Sequence, residues 1–281
     1  MTWFSSLFDD PQQLLLVLQG VLLVSGLLSL FALLRWCRNH PVDVEVLSHR
    51  LRARAWPVGQ VFSIVGMLFL LYALSSGVGA FFTADQQTAA RLVVALVVDG
   101  TMLFSIMLVV RFWRKTTCAV DFGVRKENFK LLFFGFPLYV VLLPFLVLSG
   151  LLVEFVFHLF STGEPSLQEV GEVVVHSDGH LRIAYALVAI FVAPVFEELF
   201  FRGILYPALA KGIGMVRGAV VVSILFAGIH FHAPSFLTLF LLSLAFCRIY
   251  WRSGSLWPVM GMHMVQNALA ILNLNFFYHQ P

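Results

Sequence analysis

Ala193-Pro194-Val195-Phe196-Glu197-Glu198-Leu199-Phe200-Phe201-Arg202-Gly203 sets two adjacent glutamates and an arginine inside a long apolar run. Charge in an apolar membrane-length segment is costly and marks a site whose partners must lie nearby. Each residue of an α-helix turns about 100°. Glu198 and Arg202 are four apart, so they share a face within ion-pair reach. Glu197 is five from Arg202 and points elsewhere. A structural ion pair accounts for Glu198 and Arg202 alone; it leaves the Glu197 carboxylate free to face a cavity.

The surrounding composition makes this a membrane problem. The chain has 281 residues, 60% hydrophobic and 12% charged, with mean hydropathy +0.91. A soluble domain carries roughly 25% charge. Cys37, Cys118 and Cys247 are scattered without a CxxC pair, so they give neither a disulfide framework nor a thiolate metal site. No nucleic-acid-binding motif is present. The expected fold is all-α, a polytopic bundle of eight transmembrane helices in lipid.

Eight apolar runs set the order: Gln13–Leu34, Pro57–Phe82, Leu92–Val110, Leu131–Val153, Ile183–Leu205, Val216–Phe231, Phe236–Tyr250 and Leu256–Phe277. About 20 residues cross a bilayer. The first run follows a mildly acidic stretch (Asp9, Asp10) and is too long for a signal-peptide core. Pro137 and Pro144 are expected to kink the fourth helix. Glu154 to Arg182 reads as a long polar loop with a short interfacial helix. With the N-terminus outside, only Arg91 and Arg182 among the 18 Lys and Arg fall on the outer side. The positive-inside rule therefore predicts a plasma or inner-membrane protein with both termini outside the cytoplasm.

Further polar residues punctuate the later runs. His230 lies one turn beyond Phe226, roughly 20 Å along the sixth run at 1.5 Å per residue. His232 is about 200° around that helix and is treated as peripheral. His263 and Asn267, four apart in the eighth run, share a face and can donate to one point. Gln266 lies on an adjacent face. Asp99 is a buried acid in the third run. A lone histidine in such a helix is usually a satisfied core residue, and His263 with Asn267 alone could join two helices. Taken together, a carboxylate and a histidine can act as base and water positioner. Donors from a histidine and an asparagine can form an oxyanion hole. The same set could instead hold Zn²⁺ through Glu197, His230 and His263, although helical HExxH is absent.

EExxxR (Glu197, Glu198, Arg202), FxxxH (Phe226, His230) and HxxxN (His263, Asn267), in this order, resemble the CPBP family. These are the CAAX proteases and bacteriocin-processing enzymes, or ABI family, which include the type II CAAX prenyl endopeptidases. The resemblance covers residues 120–275, and Asp121-Phe122-Gly123 is similar to the family's lead-in. It divides the chain into N-terminal helices without signature (1–115) and a protease-like domain (116–281). It implies a glutamate-type intramembrane endopeptidase without cofactor. Glu197 and His230 would activate water, His263 and Asn267 would stabilise the oxyanion, and Glu198 with Arg202 would support them. The implied partner is a membrane-associated protein or peptide. A zinc peptidase, a non-enzymatic scaffold or immunity-type protein and a transporter are the alternatives. The transporter lacks an inverted repeat.

Overall fold

The computed structural model describes residues 11–39, 41–78, 84–160, 168–177 and 179–278. Asp9 and Asp10, and Gly163, Glu164, Pro165 and Asp178 of the expected polar loop, lie outside the described residues.

Among the described residues every regular element is helical, as the runs of apolar residues without strand alternation require. The chain runs α1 (Pro11–Asn39), α2 (Val44–Arg52), α3 (Val58–Val78) and α4 (Ala84–Leu108), which ends in a π turn over Val109–Trp113. After α5 (Cys118–Asp121) a 3₁₀ segment, Lys126–Phe134, leads into α6 (Gly135–Phe160). Then come α7 (Glu169–His176), α8 (Gly179–Leu187), α9 (Ala193–Glu198), α10 (Tyr206–Ile213), α11 (Met215–Gly228), α12 (Ala233–Ser253) and α13 (Trp257–Tyr278).

Among the described residues five helices are long and apolar enough to cross a membrane: Leu16–Asn39, Ala89–Trp113, Lys126–Phe160, Gly179–Ile213 and Ala233–Ser253. The three remaining expected spans are helical too. Two of them have shorter apolar stretches, Val58–Leu71 and Met215–Gly228. The third, α13, is diluted by His263, Gln266 and Asn267. The expected loop from Glu154 to Arg182 is largely helix: α6 continues to Phe160 and α8 begins at Gly179, with α7 between them.

Two proline and glycine contacts explain how the bundle closes. Pro144 sits inside α6 and cannot donate to the carbonyl of Val140, one turn back. The backbone of α1 packs there at Gly26, where any Cβ would clash with that carbonyl. Farther along, Gln19 of α1 donates to Asn273 of α13 at 2.5 Å. At the opposite end of α13, Gly261 presses on the carbonyl of Leu132, and Gly135 presses on the backbone of Gly261. Small residues let helix axes approach where lipid gives no hydrophobic drive. The contact sets the position of His263, two residues on.

A polar junction ties the loops together. Asp121, 2% exposed, accepts two hydrogen bonds from Arg114 at 2.7 and 3.1 Å and one from Thr116 at 2.7 Å. Arg114 lies over Trp56, 5.0 Å from its centroid, and Trp56 stacks on Phe122. Phe122 fills the space beside Gly203, where an added Cβ would come within 2.6 Å of its ring. Gly123, at φ +71°, makes the turn that lets its carbonyl accept from Ser255 Oγ at 2.9 Å. Asp121-Phe122-Gly123, singled out in the sequence as a lead-in, is thus also an anchor for the segment that carries Arg202.

Gly261→Leu is expected to lower stability by about 1–3 kcal/mol, as overpacking does. Gly66→Leu, where an added Cβ meets nothing within 4 Å, should stay within roughly 0.5 kcal/mol. Thermal unfolding of the purified protein in detergent distinguishes the two.

Candidate active site

The glutamate stretch does not form one regular helix. Residues Val188–Val192 and Leu199–Leu205 are π-helical and bracket α9. Such wide turns, closed by i→i+5 bonds, occur most often as interruptions of α-helices at functional sites. They keep the rod continuous from Gly179 to Ile213 while changing which residues face the bundle.

At its centre Glu198 and Arg202 are both fully buried, and Arg202 Nη1 donates to Glu198 Oε1 at 2.8 Å. The pairing expected from their spacing is present. Arg202 Nη2 donates to Ser243 Oγ, 2.8 Å away on α12. The guanidinium is also enclosed by aromatic rings, 4.4 Å from the centroid of Phe226 and 4.8 Å from that of Phe246. A desolvated cation gains most from such faces. Ser243 and the two phenylalanines carry no signal of their own in the sequence. A serine in an apolar helix as often bonds its own i−4 carbonyl.

His263 joins this cluster from α13. Its Nδ1 lies 2.8 Å from the same Glu198 Oε1, and the ring is 4% exposed. A carboxylate only accepts, so the contact puts a proton on Nδ1. Nε2 then points toward Glu197, 3.7 Å from Oε2. Glu197 is 22% exposed, and that Oε2 is buried without a hydrogen-bond partner. The split read from helix geometry therefore holds for the ion pair: Glu198 Oε1 is shared by Arg202 and His263, while Glu197 has no contact with the arginine among the ion pairs of the cluster; the second oxygen of each glutamate is buried without a partner.

Asn267 behaves differently from the expectation of two donors aimed at one point. One N–H of its Nδ2 goes to the carbonyl of Ala189, 2.8 Å away in the first π turn. An amide NH₂ has a second N–H left to give. Gln266 also has a buried, unpartnered Oε1.

His230 is not within its helix. The sequence placed it about 14 residues into a continuous run, but α11 ends at Gly228 and His230 lies in the turn that follows. Its Nδ1 is 2.7 Å from the carbonyl of Phe226. A histidine at this point satisfies a helix-end carbonyl that has lost its backbone donor. The bond again requires Nδ1–H and leaves Nε2 with its lone pair. Phe231 then takes φ +47° and turns the chain into α12. Phe226, with no exposed surface, touches the rings of both His230 and His263, with centroids at 5.0 and 5.8 Å. It is the ring that both histidines pack against.

Of the remaining candidates, His232 packs its Nδ1 against Ser235 Oγ at 2.7 Å at the start of α12, away from the cluster. Asp99 is half-buried on α4, which packs against α9, and its carboxylate interacts electrostatically with Glu197. Among the described residues no group of three His, Cys, Asp or Glu is arranged to hold a metal ion.

Removing the cation should be the most damaging single change in this cluster. Arg202→Met is expected to cost about 3–5 kcal/mol, the penalty for stranding a buried charge. Glu198→Gln in the same chain should restore part of it. Denaturation midpoints of the single and double variants measure the coupling.

Residues 179–269 match the family model of the Rce1-like type II CAAX prenyl endopeptidases, and this segment contains all six candidate site residues. The resemblance seen in the three motifs holds over that segment. No curated protein and no solved structure matches the chain.

Proposed function

We propose, since the segment carrying the buried cluster matches the Rce1-like family model, that this protein is a metal-independent, glutamate-type intramembrane endopeptidase. Its substrate would be a membrane-associated protein or peptide. The observation that carries the reading is the unpaired Glu197 Oε2, buried and 3.7 Å from His263 Nε2, beside a second glutamate already neutralised by Arg202.

In this mechanism Glu197 removes a proton from a water held between it and Nε2 of His230. The resulting hydroxide adds to the scissile carbonyl carbon. With a proton on Nε2 as well as Nδ1, His263 donates its Nε2–H to the developing oxyanion. The second N–H of Asn267 is the other donor. Glu197 then passes its proton to the departing amine as the C–N bond breaks. Glu198, Arg202 and Ser243 take no proton; they fix the ring of His263. Donors set in place before charge develops, in a site with little water, account for most of the stabilisation.

The eight helices would all span the bilayer. The placement of Lys and Arg supports both termini on the outer side and the loops joining α1 to α3 and α4 to α6 in the cytoplasm. Residues 116–281 would form the protease unit, with the preceding helices packed onto it.

Comparative N-terminal profiling of membrane fractions tests the proposal. Glu197→Gln and His230→Ala should each remove a common set of cleavage products, with rates reduced by at least roughly 10²-fold. Activity of the purified protein should survive chelator. Unchanged cleavage in both variants would sink the catalytic reading, and chelator-induced loss restored by Zn²⁺ would replace it with a zinc mechanism.

A further inference from the structure

None of the steps above uses α3, and α4 enters only through Asp99. A lateral groove of about 550 Å³ runs between these two helices, lined by Gln60, Ser63, Met67, Ser105, Val109 and Trp113 among others. A second hollow of about 560 Å³ shares Val109 and Trp113 with it and continues to Lys115. At the inner end Ser105 Oγ meets Met67 Sδ at 3.8 Å. On the regular helix α3 the lining runs from Gly59 to Met67, eight residues or about 12 Å at helical rise. That is close to half of the roughly 30 Å hydrocarbon core, the depth of one leaflet.

The two ends differ in chemistry. The inner end is apolar apart from the Ser105 hydroxyl, which is already spent on the carbonyl of Thr101. The outer end has Phe112 and Trp113, 70% and 72% exposed, as aromatic side chains are at a lipid–water boundary. There the π turn Val109–Trp113 delivers Lys115. Lys115 has φ +53°, a region that Cβ makes unfavourable and that is held where side-chain direction matters. Gln60, one turn into α3, has a buried Oε1 without a partner, free to accept from a hydroxyl. Among the described residues no Asp or Glu lines either hollow.

We propose that this groove binds an anionic phospholipid, with one acyl chain in the channel between α3 and α4 and the phosphate held by Lys115. The length matches a leaflet, the throat is apolar and the mouth carries an uncompensated cation. The site is independent of the peptidase reading and requires no assignment of sidedness.

Lipid retention by the full-length protein, measured by native mass spectrometry from equimolar phosphatidylglycerol and phosphatidylcholine, tests it. Wild type should favour phosphatidylglycerol about fivefold, the factor for one cationic contact at a lipid surface. Lys115→Gln should bring the ratio to one without loss of bound lipid. Gly59→Phe should reduce retention of both lipids at unchanged melting temperature, because an added Cβ there meets nothing within 4 Å and the ring enters the groove. Ser63→Leu, on the same face, reads the same effect should the first variant fail to fold. A phosphatidylglycerol preference that survives Lys115→Gln overturns the proposal. So does wild-type retention in a folded groove-filling variant, or displacement of the phospholipid by farnesyl phosphate.

Discussion

Arg202 is a guanidinium with no exposed surface, and the site-bearing half of the bundle is arranged to make that tolerable. An uncompensated charge at this depth is costly. Glu198 neutralises it, Ser243 takes one N–H, and Phe226 and Phe246 offer their faces. These groups come from the glutamate rod, α11 and α12. His263 then adds α13 by sharing Glu198 Oε1 with the arginine. Four elements are therefore pinned by one cation. An ion pair of this kind is weak evidence for stability, because well-packed apolar residues often do as well. What it does secure is direction: the ring of His263 has one orientation that satisfies Glu198, and in that orientation its other nitrogen faces Glu197.

The sequence showed the parts of this that depend on period and spacing. Apolar runs located every membrane-length helix, and the four-residue interval paired Glu198 with Arg202 while excluding Glu197. Three things were not legible. The π turns on either side of α9 arise from packing in three dimensions, and nothing in VAIFV or LFFRGIL marks them. His230 was read inside a helix because Phe226-Ala227-Gly228-Ile229-His230 continues the apolar pattern; the helix ends early because the imidazole itself takes the carbonyl of Phe226. Ser243 carried no signal, and Asp121 was read only as part of a lead-in, since their partners, Arg202 and Arg114, are defined only by the fold.

The helices without family signature are joined to the rest by contacts of three kinds. Gly26 of α1 lies against the carbonyl that Pro144 leaves open, Trp56 stacks on the Phe122 that fills the space at Gly203, and α4 packs on α9 beside Asp99. At the base of the bundle, Arg50 and Arg54 donate to the carbonyls of Arg252 and Gly254 at 3.0 and 2.7 Å. Cations at a helix C-terminus complement its dipole. The C-terminal end of α2 thus caps the helix that supplies Ser243, so the N-terminal region bears on the site through backbone position and not through a reacting group.

The π turns make the glutamate rod sensitive to residue count more than to residue identity. Substitutions along its lipid-facing side leave helical phase untouched. Deleting one residue from the α-helical stretch Ala193–Val195, with both wide turns kept, would turn one side of the rod by about 100° relative to the other. Glu197 and His263 would then no longer face each other, although every side chain of the cluster would still be present. Selection on such a segment acts on length as well as on chemistry, so its loss of function can come from a change that removes none of the reacting groups.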